Sequence, residues 1–272
     1  HEVKQRWPLN VTVLYGALPD LHKAQEICQQ QDAIVHLAGI AHVGASAQLL
    51  KSSNLDATLQ LAQCARAAGV KQFIFISSSK AAYPQHSVYA QLKALAEDQL
   101  DTLGTANFKV TSLRPALVYG TGMRGNLASL LKLLHQKTLP LFISSNKRIG
   151  MTGINDLCRA IVLALQSDTL HGKGWDVTDR QTYTLNEIVT QVRQHVGYDH
   201  PVLYLPHFLV KVTARLSQAA STLFPNSFSM STYKALFEED YEVKRNFWEQ
   251  VRSQPEENFY NALPVLLKGN EA

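Results

Sequence analysis

The sequence predicts an α/β fold, a doubly wound parallel sheet followed by a smaller C-terminal lobe, and three observations carry that prediction. Phe73, Ile74, Phe75 and Ile76 form an unbroken apolar run, the pattern of a parallel strand covered on both faces. Strand-like and helix-like segments alternate from Asp32 to Leu113. Hydroxyls gather at Ser77-Ser78-Ser79, directly after the apolar run, and open α/β sheets bind their ligands beyond the carboxyl ends of the strands.

Taken in order, His1-Glu-Val reads as the middle of a strand whose preceding material has been cut. Val11 to Tyr15 reads as a short strand ending at Gly16, and a helix starts at Leu21. Asp32 to Gly39 is a strand closed by small residues that let a ligand approach the backbone. His36 and His42 read as packed rather than reactive. Ala57, Leu61, Ala65 and Ala68 recur at helical spacing, with Asn54 on the same side and Gly69 as the stop.

A helix runs from Tyr89 to Leu103, and the strand Phe108 to Leu113 ends at Arg114-Pro115. An amphipathic helix and a short strand lie between Asn126 and Lys147. Asn155 is the expected cap of a helix from Asp156 to Leu165. Gly174 to Val177 is a late strand, and Thr184-x-x-Glu187 is a capping box for a helix that Gly197 closes. The remainder, punctuated by Pro206, Pro225 and Pro255, reads as a small helical lobe over the substrate.

Composition narrows the function. The chain has 272 residues, 46% of them hydrophobic, enough for one large domain or a domain with a smaller lobe. Its net charge of +4 is dispersed, so no nucleic-acid surface is expected, while small anionic substrates fit. Cys28, Cys64 and Cys158 lie far apart and outside Cys-x-x-Cys spacing, so neither a disulfide framework nor a metal site is expected, and a cytoplasmic setting fits. No apolar run reaches the roughly 18 residues of a membrane span.

The chemistry centres on Tyr89 and Lys93. Four residues apart on one helix, they share a face. A free tyrosine has a pKa of about 10, and a nearby ammonium is expected to lower it toward a useful base. A serine hydroxyl across the cleft then orients a substrate oxygen, the phenolate takes its proton, and a nicotinamide takes the hydride. The Tyr-x-x-x-Lys spacing alone is weak; the order strand, serines, helix strengthens it.

These residues resemble the extended short-chain dehydrogenase/reductases, in their nucleotide-sugar epimerase, dehydratase and 4-reductase branch. The marks are His36-Leu-Ala-Gly39, Asn54, Gly69-Val-Lys-Gln-Phe-Ile-Phe-Ile-Ser-Ser78, Tyr89-x-x-x-Lys93, Arg114-Pro-Ala-Leu-Val-Tyr-Gly120, Arg124-Gly-Asn126 and Lys147-Arg148. The resemblance implies a Rossmann-like core over 1–123 with its first βα unit missing, and a region 124–272 that completes the sheet and forms the substrate lobe. It also implies oxidoreduction or epimerisation at a hydroxyl, C4 by preference, of a nucleotide-diphosphate sugar.

NAD or NADP is the implied cofactor, held by Leu37, Ala38, Gly39, Asn54, Tyr89 and Lys93. Tyr89 is implied as the acid/base, Lys93 as its partner and Ser78 as the orienting hydroxyl. Arg124, Asn126 and Arg148 are implied to line the substrate nucleotide, and a homodimer is left open. Counting forward from Phe73 places the active hydroxyl on Ser78, whereas counting back from Tyr83 places it on Ser79; Ser78 is preferred. A dehydratase is disfavoured, because Ser79-Lys80 stands where that branch carries Asp-Glu. The alternative is a nucleotide-binding or scaffold protein without turnover. It rests on Ala17 in place of the family's aspartate, a short loop between Ser78 and Tyr89, and no glycine-rich turn before the first half-sheet.

Overall fold

The structure is a computed structural model that describes residues 11–16, 18, 20–41, 45–123, 126–135, 141–143, 145–197, 203–205 and 241–268. Helix α1 (Leu21–Cys28) starts where the Asp20 carboxylate accepts the Lys23 amide at 3.1 Å, and it buries Ala24 and Cys28. Strand β1 (Ala33–His36) follows. The next helical stretch has three parts: α2 (Ala47–Lys51), a π turn over Ser52–Asp56, and α3 (Ala57–Ala67). Gly69 adopts φ +80° and turns the chain into β2 (Gln72–Ile76).

Burial of β2 explains its composition. Phe73 and Phe75 pack into a cluster with Ala24, Leu61, Ala65 and Leu100. Ile74, on the opposite face, packs with Leu157, Ala160 and Trp175. Successive strand side chains point to opposite faces, so both layers are filled from one apolar run.

Two 3₁₀ turns, Ser79–Ala82 and Pro84–His86, lead to α4 (Val88–Leu103), which Ser87 caps by accepting the Ala90 amide at 3.1 Å. Strands β3 (Lys109–Pro115) and β4 (Leu117–Tyr119), helix α5 (Asn126–His135), and strands β5 (Leu141–Ile143) and β6 (Arg148–Gly153) come next. They are followed by α6 (Ile154–Gln166), β7 (Gly174–Val177), β8 (Thr182–Thr184), α7 (Leu185–Val196) and β9 (Leu203–Leu205). Helices α8 (Phe247–Gln250) and α9 (Phe259–Lys268) end the described chain.

Strands β1, β2, β3 and β7 pair in that order, all parallel, with Phe73 opposite both Ile34 and Val110. A second sheet, β4-β6-β8, joins β4 and β6 in parallel and β6 and β8 antiparallel. Around it pack Leu131, Met151, Tyr183, Val192, Phe259 and Leu263. The Thr184–Glu187 capping box is formed in both directions, and Gly197 closes α7 at φ +61°.

Two local expectations are corrected. Val11 to Tyr15 is not a strand; Tyr15 is 85% exposed, and no ladder among the described residues includes this segment. A β-branched run without a pairing edge does not make a strand by itself. Nor does Asn155 cap α6. The Glu257 carboxylate takes the amides of Asn155 and Asp156 at 2.9 and 3.1 Å, and Asn155 is itself the second helical residue.

Candidate active site

The backbone dictates where the hydroxyls end up. The Ser77 amide donates to Leu113 O at 2.7 Å, the last rung between β2 and β3, and Ser78 then stands beyond the ladder in extended geometry. Its Oγ accepts the Lys80 amide at 3.3 Å, which opens the first 3₁₀ turn. Its hydroxyl also lies beside the Tyr89 phenol, close enough to act on that group's ionisation. Ser79 is already the first residue of that turn.

Tyr89 and Lys93 lie on consecutive turns of α4. Lys93 is 3% exposed; its Nζ donates to Ile76 O at 3.0 Å and lies 4.5 Å from the Phe75 ring centroid. Burial pulls the ammonium down to about 8, with Glu97 acting in the opposite direction. The expected lowering of Tyr89 is not found. Burial raises its pKa, and the neighbouring Ser78 hydroxyl is what opposes that rise. The cause is geometric: the lysine spends a hydrogen bond on a backbone carbonyl, and the phenol is packed rather than solvated.

Asn54 occupies the π turn and is fully buried. Its Oδ1 accepts the Ile40 amide at 3.1 Å, while Nδ2 donates to Ile40 O at 2.9 Å and Leu50 O at 3.1 Å. Two of these bonds fix the backbone just after Gly39, and the third ties the side chain to the preceding helical turn. A Cβ on Gly39 would lie 2.6 Å from Asn54 Oδ1 and 3.6 Å from Lys93 Nζ, so Gly39, Asn54 and Lys93 converge. The apolar spacing predicts a regular helix here and misses the π turn, a feature that recurs at functional sites.

His36 is packed. The single Thr58 hydroxyl proton goes to Asn54 O at 3.0 Å, so His36 Nε2 is the donor in its own 3.0 Å bond to Thr58 Oγ1. Burial first, and Lys93 second, hold the imidazole down to about 4. It is therefore a neutral brace between β1 and α3.

Leu37, Ala38 and Gly39 are exposed beyond β1. Ala38 and Gly39 line a cavity of about 310 Å³ with Gly16, Lys23, His36 and Ser53. A glycine that has no room for a Cβ, next to a buried ammonium, fits a ribose or nicotinamide edge approaching the backbone closely. The residues present thus fit part of a dinucleotide.

Arg124 and the Asn126 side chain lie outside the described residues, as does His42. Arg148, the first residue of β6, is half-exposed with Glu187 at 4.0 Å. It lines a separate cavity of about 840 Å³ with Asp179, Arg180, Trp248, Glu249 and Tyr260. Ser78, Tyr89 and Lys93 do not line that cavity, so Arg148 is not brought together with them there.

Two features escape the sequence reading. Glu97 and Arg114 form a buried pair with Nε bonds of 2.9 and 3.0 Å to the two carboxylate oxygens. Helical spacing places Glu97 on the face of Lys93, but nothing in the sequence names Arg114 as its partner. Asp179 is 6% exposed and accepts from Tyr119 at 3.0 Å, Tyr183 at 2.6 Å and the Phe259 amide at 3.2 Å. Nothing in the spacing of these four residues announces that cluster.

A parallel sheet with a hydroxyl, a phenol and a buried ammonium at the carboxyl end of one strand defines a Rossmann-like α/β protein. The chain belongs to the NAD-dependent epimerase/dehydratase family, whose sequence profile matches residues 2–177. It is 31% identical over 197 residues to a UDP-glucose 4-epimerase of Vibrio cholerae, covering 64% of this chain and 59% of that protein. The chain therefore spans less than two thirds of that relative's length. A structure of UDP-glucose 4-epimerase from Thermotoga maritima with UDP-glucose matches at a TM-score of 0.68 and 17% identity, over 92% of this chain and 81% of the other. UDP-glucuronic acid 4-epimerase of Bacillus cereus, in complex with UDP-glucuronic acid and NAD, matches at 0.70 and 17%, over 93% and 80%. At such identities these structures speak for the fold. No helix among the described residues is long and apolar enough to cross a membrane.

Proposed function

We propose that the protein carries out NAD(P)-dependent oxidoreduction or epimerisation at a hydroxyl, C4 by preference, of a nucleotide-diphosphate sugar. The observation that carries this reading is the gathering of the Ser78 hydroxyl, the Tyr89 phenol and a buried Lys93 at the end of β2. Tyr89 is the proton-transfer group, at its phenolic oxygen. Ser78 holds that phenol and presents its hydroxyl to the substrate oxygen. Lys93, kept out of water, supplies the positive charge that a developing phenolate needs. Hydride acceptance is the chemistry that a bound nicotinamide supplies.

Gly39, with Leu37 and Ala38 before it, offers backbone to the cofactor, and Asn54 fixes that backbone. Arg148 suits a phosphate through its planar fork, and Arg124 and Asn126 belong to the same substrate-side reading. The region after residue 123 is the side from which the sugar is taken in this reading; the expected helical lobe with Pro206 and Pro225 lies outside the described residues. The three cysteines, Cys28, Cys64 and Cys158, are free, which supports a cytoplasmic setting.

A second reading, nucleotide binding without turnover, is favoured by one observation: burial raises Tyr89 instead of priming it. Assay of the protein with UDP-glucose, UDP-galactose and their glucuronate counterparts, with NAD and NADP, separates the two. Turnover is expected to fall by about 10²–10⁴ in Tyr89→Phe. Binding of cofactor and sugar nucleotide without turnover would favour the second reading.

A further inference from the structure

Glu97 sits on α4 one turn beyond Lys93 and two beyond Tyr89, so all three share a face of one helix. Its carboxylate is 7% exposed and is gripped by Arg114 of β3. No room is left around that pair. A Cβ on Gly174 of β7 would lie 2.6 Å from both Arg114 Cζ and Glu97 Oε2. Strand β3 is also where the active strand is registered, since Ile76 stands opposite Leu113 and Ser77 donates to Leu113 O. The pair therefore ties the helix that carries Tyr89 and Lys93 to the strand that sets the height of Ser78.

We propose that the Glu97–Arg114 pair is the positioning element of this site. It fixes α4 against β3 so that Lys93 Nζ reaches Ile76 O, and the Glu97 carboxylate keeps Lys93 an ammonium. The proposal rests on the Ser78/Tyr89/Lys93 reading. The groups that face these charges are drawn from several elements. His36 of β1 is neutral and lies close enough for Lys93 to act on it. Arg114 feels Asp176 of β7 and Asp98 of α4 besides Glu97. Asp176 is in turn held by the Lys244 and Arg245 amides at 2.7 and 2.9 Å. Around one arginine and one lysine there are thus three carboxylates, and Glu97 is the one that acts on Lys93 directly.

The test follows the Lys93 ammonium by nuclear magnetic resonance of its side-chain carbon, assigned with Lys93→Met, alongside the pH dependence of kcat. In Glu97→Gln the Lys93 midpoint should drop by about one unit, as expected when an opposite charge is removed. The alkaline limb of the kcat profile should move with it, and Glu97→Asp should restore both. If Glu97→Gln does not fold, the double variant Glu97→Gln with Arg114→Met leaves no unpaired buried cation, and the drop is expected there relative to Arg114→Met, so that the loss of the arginine's own charge cancels. An unchanged midpoint in either folded variant overturns the proposal. A shifted midpoint with turnover intact in Tyr89→Phe sinks the reaction reading and leaves the positioning of Lys93 standing.

Discussion

The Ser78 hydroxyl stands beside the Tyr89 phenol across the two 3₁₀ turns that join β2 to α4, and it holds the phenol's ionisation down against burial. This ranks the serines. Ser78→Ala should lower kcat about 10²-fold, the usual consequence of losing one positioned donor, while Ser79→Ala should cost far less. The reverse order in steady-state kinetics would move the active hydroxyl to Ser79. Ser78→Ala combined with Tyr89→Phe should be less than additive, because both act on one proton transfer.

Arg148 is proposed to meet the substrate phosphate, and it lines its cavity together with Glu187, 4.0 Å away. Arg148→Ala should weaken binding of a UDP-sugar by about 1.5–3 kcal/mol, the range for a hydrogen bond to a charged group. Its melting temperature should hardly change, since this ion pair is exposed and such pairs contribute little. Calorimetry with UDP-glucose checks it; an unchanged dissociation constant returns Arg148 to the solvated surface.

Glu257 reaches across to the N-terminus of α6, where it accepts the Asn155 amide at 2.9 Å, the Asn155 side chain at 2.8 Å and the Asp156 amide at 3.1 Å. It takes the place of a cap that the sequence assigns to Asn155. Glu257→Ala should destabilise the fold by about 1–2 kcal/mol, comparable with losing a good N-cap beside a helix dipole. Asn155→Ala should cost less, because the two amides keep their acceptor. Denaturant titration of both variants gives the comparison.

The difference between these two residues shows what a sequence makes legible. Local devices carry their signal within one turn: the Thr184–Glu187 box, the Gly197 stop and the apolar run of β2 are all read directly. Tyr89 and Lys93 share a helix face, so spacing alone brings them together. The cap of α6 and the pairing of Glu97 with Arg114 depend on partners 102 and 17 residues away, and no periodicity encodes them. The ionisation of Tyr89 was misjudged for the same reason. Spacing places an ammonium nearby, but only packing shows that it is turned to Ile76 O and that burial dominates.

Asp179 lends itself to a pH experiment. It is buried with Tyr119, Tyr183 and the Phe259 amide as donors, and it joins β4, β8 and the start of α9. Burial raises its carboxyl to about 6, although each of those donors works against the rise. The unfolded chain protonates an aspartate near 3.9, so between roughly pH 4 and 6 the folded state binds more protons than the unfolded one. The stability linked to this group is therefore fully present below about pH 4 and is lost as pH rises through about 6. A displacement from 3.9 to about 6 corresponds to roughly 3 kcal/mol. Asp179→Asn removes the titration while keeping one acceptor for the phenols. The melting temperature of the wild type minus that of Asp179→Asn should fall steadily between pH 4 and 7, whatever its sign at either end. A difference that stays flat over that range means that Asp179 remains ionised in the fold, with the three donors outweighing its burial.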